Sequence, residues 1–170
     1  MKFYTLIAVM ASATLSISYF FPPLLALLVI LIGLSLTKRQ ALLYALIVGF
    51  VSYVLTTQII TLTNVFFLPL IIFILKQFET FIFGGKLSDG CLSKPNKFRN
   101  LRLASMSFIL VFLANMSSEI IYGLTIGDVF SQILLGFLIS FIGALITSVI
   151  VFLVGIPLLK RLNKLYLKME

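Results

Sequence analysis

Long apolar runs alternate with short polar breaks along the whole chain. A helix needs about 20 apolar residues, at 1.5 Å of rise each, to cross the hydrocarbon of a bilayer. On that measure the pattern predicts six helices, at about 3–21, 24–36, 41–62, 65–83, 103–124 and 129–159. Pro22 and Pro23 stop the first helix, and proline is tolerated at the opening of the next, where its missing N–H has no partner to lose. The second run is short, so it is expected to start within the turn or to lie beside irregular backbone lining a cavity. Thr37-Lys38-Arg39-Gln40 forms a tight turn, and Gly84 to Arg102 is the one long loop, with Gly84-Gly85, Asp89-Gly90 and Lys94-Pro95-Asn96 as its turn chemistry. Asp128 is placed to cap the sixth helix. That helix is longer than a bilayer requires, so it must tilt, kink near Gly155-Ile156-Pro157 or project beyond the membrane. The predicted fold class is all-α, a single polytopic membrane domain with no repeat between its halves.

Composition agrees with lipid as the solvent. Hydrophobic residues are 61% of the chain and charged residues 11%, against roughly 45–50% and about 25% in soluble domains. The 13 Lys+Arg then orient the helices. Lys2, the Lys38-Arg39 turn, the loop carrying Lys86, Lys94, Lys97, Arg99 and Arg102, and the tail Lys160, Arg161, Lys164 and Lys168 all fall on one side. The alternate connections, around Pro22-Pro23, Gln58 to Asn64 and Gly123 to Asp128, carry no Lys or Arg. Basic loops resist translocation, so that side is expected to be cytoplasmic, with both termini inside the cell membrane. Lys76 alone lies within an apolar run. The net charge of +8 is accounted for by loops facing an anionic leaflet, and no nucleic-acid partner is expected. Lys2, the stretch Phe3 to Met10 and Ala11-Ser12-Ala13 also fit a cleaved signal peptide. The apolar run continues to Phe21 without the polar stretch expected after cleavage, which favours a retained helix.

Histidine is absent and Cys91 is the only cysteine, which excludes His-based acid–base chemistry, Cys/His metal sites and an intrachain disulfide. No catalytic residue, metal or cofactor is expected, and the chain is not expected to be an enzyme. Polar groups inside apolar runs are more informative, because a charged group at bilayer depth costs roughly 2.5–3.5 kcal/mol on insertion scales. Asn115, Glu119 and Tyr122 are spaced i, i+4, i+7 and share one helical face. Asp128 and Gln132 stand at the start of the sixth helix, and Asn64 opens the fourth on the same side. These six residues predict a substrate pocket open to the outside; the plain alternative for Glu119 and Asp128 is interfacial solvation and capping. Lys76 and Glu79, at i, i+3, read as an internal ion pair near the inner interface. Asn115-Met116-Ser117 matches a glycosylation sequon but lies within a span that no transferase reaches. Small residues recur every four positions, at Ala8, Ser12 and Ser16 in the first run and at Ala41, Ala45 and Gly49, with Ser52 beyond, in the third. Such faces let backbones approach closely, either within the chain or against a partner protein.

With these residues in place, the chain resembles the substrate-binding S component of an energy-coupling factor vitamin transporter. The resemblance rests on Pro22-Pro23-Leu24 leading into a short second helix, the basic turn, Ala41…Ala45…Gly49…Ser52, the basic fourth connection, and the ending Val154-Gly155-Ile156-Pro157-Leu158-Leu159-Lys160-Arg161-Leu162. It extends over nearly the whole chain as a pattern of sizes and positions. It implies a six-helix subunit that captures a vitamin-like micronutrient from outside and delivers it by toppling, joined to a transmembrane T component and two ATPases. The family's Ala-x-x-x-Ala motif, which contacts the T component, is matched here by Ala8-Val9-Met10-Ala11-Ser12, with serine in the second place. The family's substrate site lies on the outer side among the last three helices, in agreement with the polar cluster.

The ligand class follows from the residues themselves. Two carboxylates without an outer basic residue disfavour a strongly anionic ligand and fit a cationic or hydroxyl-rich one. Tyr19, Phe20, Phe21 and Tyr122 offer aromatic faces in a chain without tryptophan. Two other classes stand beside this reading. A self-sufficient secondary carrier would need Glu119, Glu79 and Lys76 as its ion path, and a membrane enzyme would need a nucleophile with a base or metal that the sequence does not offer.

Overall fold

The computed structural model describes residues 2–20, 24–56, 59–85, 98–127 and 129–167. Every regular element among them is helical, and there are seven: α1 (Lys2–Phe20), α2 (Leu24–Ser35), α3 (Lys38–Thr56), α4 (Ile59–Gln77), α5 (Glu79–Phe83), α6 (Arg99–Ile126) and α7 (Val129–Leu167). Lys38–Leu55, Arg99–Ile126 and Ile133–Leu162 are long and apolar enough to cross a membrane. α7 exposes Leu134, Phe137, Leu138, Phe141, Leu145, Val149 and Leu153, a surface suited to lipid rather than water.

Local chemistry sets the helix ends. Thr37 precedes α3 and its N–H donates to Gln40 Oε1 at 3.0 Å, the backbone half of a capping box. Gly84 and Gly127 close α5 and α6 in the left-handed region, at φ 74° and 78°, where a Cβ would be strained. The expected fourth helix over 65–83 differs at both ends: it begins at Ile59 and bends at Phe78, leaving the short α5 as its continuation. α3 is described to Thr56 and α4 from Ile59, so Asn64 lies inside α4 rather than at its opening. α6 reaches back to Arg99, shortening the expected loop, and α7 runs helically through Pro157 to Leu167. The turn residues Pro22 and Pro23, the cap Asp128 and the loop's Lys86, Cys91, Lys94 and Lys97 lie outside the described residues.

Packing makes two antiparallel hairpins, α3/α4 and α6/α7, with α2 between them. The described part of α2 has 12 residues and spans about 18 Å, less than a lone membrane-crossing helix needs. The chain solves this by enclosing it: Val29, Ile30, Leu31 and Leu34 are buried among α1, α3, α4 and α7. At its C-terminal end Lys76 Nζ donates to Leu34 O at 2.8 Å. The same ammonium sits 3.2 Å from Glu79 Oε2, with the two side chains only 7% and 13% exposed. A cation there satisfies an orphan carbonyl and faces the negative end of the helix dipole, while Glu79 balances the charge.

Hydroxyl pairs tie the remaining helices. Thr14 Oγ1 and Tyr44 Oη are 2.6 Å apart between α1 and α3, and Thr63 Oγ1 and Ser118 Oγ are 2.6 Å apart between α4 and α6. The described basic side chains gather at one end of the bundle: Lys38 at the start of α3, Lys76 at the end of α4, Arg99 and Arg102 at the start of α6, Lys160 and Arg161 late in α7. This is called the basic end below, and the turns after α3 and α6 mark the far end.

Candidate functional site

α6 and α7 pack antiparallel along most of their length. One stripe of α6 faces this seam: Phe108, Phe112, Asn115, Glu119 and Tyr122, spaced i, i+4, i+7, i+11, i+14. The half of the stripe nearer the basic end is aromatic. Phe108 and Phe112 meet Phe137 and Phe141 edge-to-face, with ring centroids 5.5–6.4 Å apart, the arrangement the ring quadrupoles favour. Below it Ser148 Oγ donates to Ala104 O and Asn100 Nδ2 to Phe152 O, fixing the register.

Toward the far end the stripe turns polar and α7 answers with glycine. A Cβ on Gly136 would stand 2.7 Å from Glu119 Cβ and 2.8 Å from its Cγ, so the carboxylate's stem occupies the space a side chain would fill. A Cβ on Gly143 would lie 3.6 Å from Asn115 Nδ2. Between the two glycines on the same α7 face is Ser140, 2% exposed, its hydroxyl without a hydrogen-bond partner among the described residues. An unpaired buried hydroxyl costs about 1–3 kcal/mol. Asn115 itself is exposed and Glu119 half-buried. Carboxylate, amide and hydroxyl thus share one seam, about 10–17 Å along α6 from its far end.

Of the six residues expected to line a pocket, the structure brings Asn115 and Glu119 together on this seam, with half-buried Tyr122 one turn further out. Asn64 sits on α4, its backbone carbonyl against Gly49 of α3. Asp128, and the side chain of Gln132, lie outside the described residues. Gly136, Ser140 and Gly143 were not expected. Their signal was available in the spacing Gly136, Ser140, Gly143, Thr147, which repeats the i, i+4, i+7, i+11 step of α6 on the facing helix.

The two small-residue faces part company. Ala41 and Ala45 are fully buried, and a Cβ on Gly49 would meet Asn64 O at 2.6 Å and Val65 Cα at 2.9 Å, so this face packs against the chain's own helices. Ala8 and Ser12 of α1 are exposed.

The chain matches no family model, no curated protein and no solved structure.

Proposed function

We propose that the chain is the substrate-binding subunit of an energy-coupling factor type transporter: a six-span protein of the cell membrane that captures a small, vitamin-like solute. In this reading the basic end is cytoplasmic and the far end faces outside. The observation that carries it is the pairing of Glu119 and Asn115 with glycines of α7, in the half of the bundle from which lysine and arginine are absent among the described residues. Holding a carboxylate against a glycine at bilayer depth is costly without a use, and polar groups so placed mark a solute site. A carboxylate, an amide and a hydroxyl with no neighbouring cation select a cationic or hydroxyl-rich solute. A transmembrane T component and two ATPases would then supply the energy, and Ala8 and Ser12 are exposed small residues of α1 placed to meet such a partner. Ala41, Ala45 and Gly49 would act indirectly, by holding α3 to α4.

A self-sufficient carrier gains nothing from the internal ion pair, because Lys76 is already committed to the end of α2. The deciding experiment is mass spectrometry of small molecules that co-purify with the protein in detergent, followed by equilibrium binding of the molecule found. Glu119→Gln removes the charge and keeps the shape. Losing a hydrogen bond to a charged group is worth about 1.5–3 kcal/mol, a drop in affinity of roughly ten- to a hundred-fold. Unchanged affinity in Glu119→Gln would end the assignment of the seam as the site.

A further inference from the structure

The α6/α7 seam changes character within one helical turn. Glu119 and Asn115 hold its polar end, and the aromatic stretch that follows runs about 10 Å along α6 from Asn115 to Phe108. Its four rings form two parallel pairs, Phe108 with Phe112 at 6.0 Å and Phe137 with Phe141 at 6.3 Å. These rings are not sealed in a core: Phe137 is 52% exposed and Phe141 42%.

The polar end is unsatisfied. Among the described residues no hydrogen bond or ion pair engages Glu119 or Asn115, and the Ser140 hydroxyl, buried on the facing helix, has no partner either. Carboxylate, amide carbonyl and hydroxyl are three oxygen acceptors on one seam without a donor. Glu119 is also the one charged residue in the far half among the described residues. A primary ammonium has three N–H donors and supplies the missing positive charge.

The surroundings decide what the rest of the ligand is made of. Along Ile133–Ile142 of α7 every residue except Gly136 and Ser140 is exposed, and all the exposed ones are hydrocarbon. A hydroxyl-rich solute reaching past Asn115 would lay further hydroxyls against phenylalanine, where none of them finds a partner. An apolar tail leaves nothing unpaired there, and the ring faces attract a cation held beside them.

We propose that the seam takes an amphiphilic amine, its ammonium head held by Glu119 and Asn115 and its single apolar tail lying along Phe112, Phe137, Phe141 and Phe108. This rests on the seam being the solute site; it selects the cationic class over the hydroxyl-rich one and adds the tail.

The probe is dodecylamine with a diazirine at the end of its tail, offered to the protein in phosphatidylcholine nanodiscs. After irradiation, peptide mass spectrometry locates the label. Saturable labelling is expected around Phe108 and Phe112 of α6 and Phe137 and Phe141 of α7. Unlabelled dodecylamine should displace it, and dodecanol or dodecanoate at the same membrane concentration should not. Glu119→Gln should raise the half-saturating concentration roughly ten- to a hundred-fold, the effect of one hydrogen bond to a charged group. Phe66→Leu, on an exposed face of α4, should leave it unchanged. Labelling that never saturates and spreads to Phe50 and Phe66, equal displacement by dodecanol, or a label joining two copies of the chain would each overturn the amphiphile. If Glu119→Gln still weakened binding of the co-purified molecule, the seam would then stand as the site of a solute without a tail. Saturable labelling that Glu119→Gln leaves unchanged would overturn both the head assignment and the seam as the reader of charge.

Discussion

Gly49→Ala adds one methyl group, and the structure gives it nowhere to go. Its Cβ would stand 2.6 Å from Asn64 O, 2.9 Å from Val65 Cα and 3.0 Å from Asn64 C. All three are backbone atoms of α4, so no rotamer change relieves the contact and the two helices must part by the better part of an ångström. Overpacking of this kind costs about 1–3 kcal/mol. Alanine recovers up to about 1 kcal/mol of helix preference over glycine, which leaves a net loss of about 0–2 kcal/mol. Gly49→Leu extends the same clash by three more carbons and should lose more. Reversible unfolding in mixed micelles, followed by far-UV circular dichroism as the denaturing detergent is titrated, reads the difference directly. A loss of 1.4 kcal/mol is a ten-fold change in the folded-to-unfolded ratio. Ser12→Leu is the comparison, since Ser12 is exposed on α1 and its substitution should leave the midpoint in place. If Gly49→Leu unfolds with the wild type, or if Ser12→Leu loses as much, the close approach of α3 and α4 is not what holds the hairpin.

Two further outcomes are expected. Lys76→Met takes the cation from beside Glu79 and the Leu34 carbonyl and should cost about 3–5 kcal/mol, whereas Lys76→Met with Glu79→Leu should recover most of it; equal losses in both, in the same unfolding titration, would show that the pair is not the cause. Exposed Thr125, near the far end of α6, should react as Thr125→Cys with an impermeant thiol reagent on intact cells, while native Cys91 reacts only after permeabilisation. Labelling of Cys91 in intact cells would reverse the orientation.

The all-helical class was legible because hydropathy alone separates the apolar runs, but where α3 gives way to α4 was not. Thr56 to Asn64 reads Thr-Thr-Gln-Ile-Ile-Thr-Leu-Thr-Asn, with neither glycine nor proline, so nothing local says where the chain reverses. α4 is already helical at Ile59, and Asn64 is carried inside it. α2 was legible as an anomaly of length, yet its remedy depends on Lys76, which is remote in sequence and meets it only in the folded bundle. At Ala41, Ala45 and Gly49 the sequence announced a close approach without naming the neighbour, because a small face suits any backbone. The seam was half visible: Asn115 and Glu119 carry chemistry that a reader looks for. Gly136 and Gly143 contribute by lacking a side chain, and Ser140 gains meaning only from its burial.

The order in which the chain is made bears on the enclosed second helix. Leu34 emerges from the ribosome well before Lys76, and a nascent chain that ends between them lacks the cation that terminates α2. Twelve residues are too few to hold a place across a bilayer unaided. The α1 and α2 segment is therefore expected to stay provisional until the α3/α4 hairpin arrives and supplies both the walls and the cap. Its insertion into a membrane is expected to couple to tertiary folding rather than precede it.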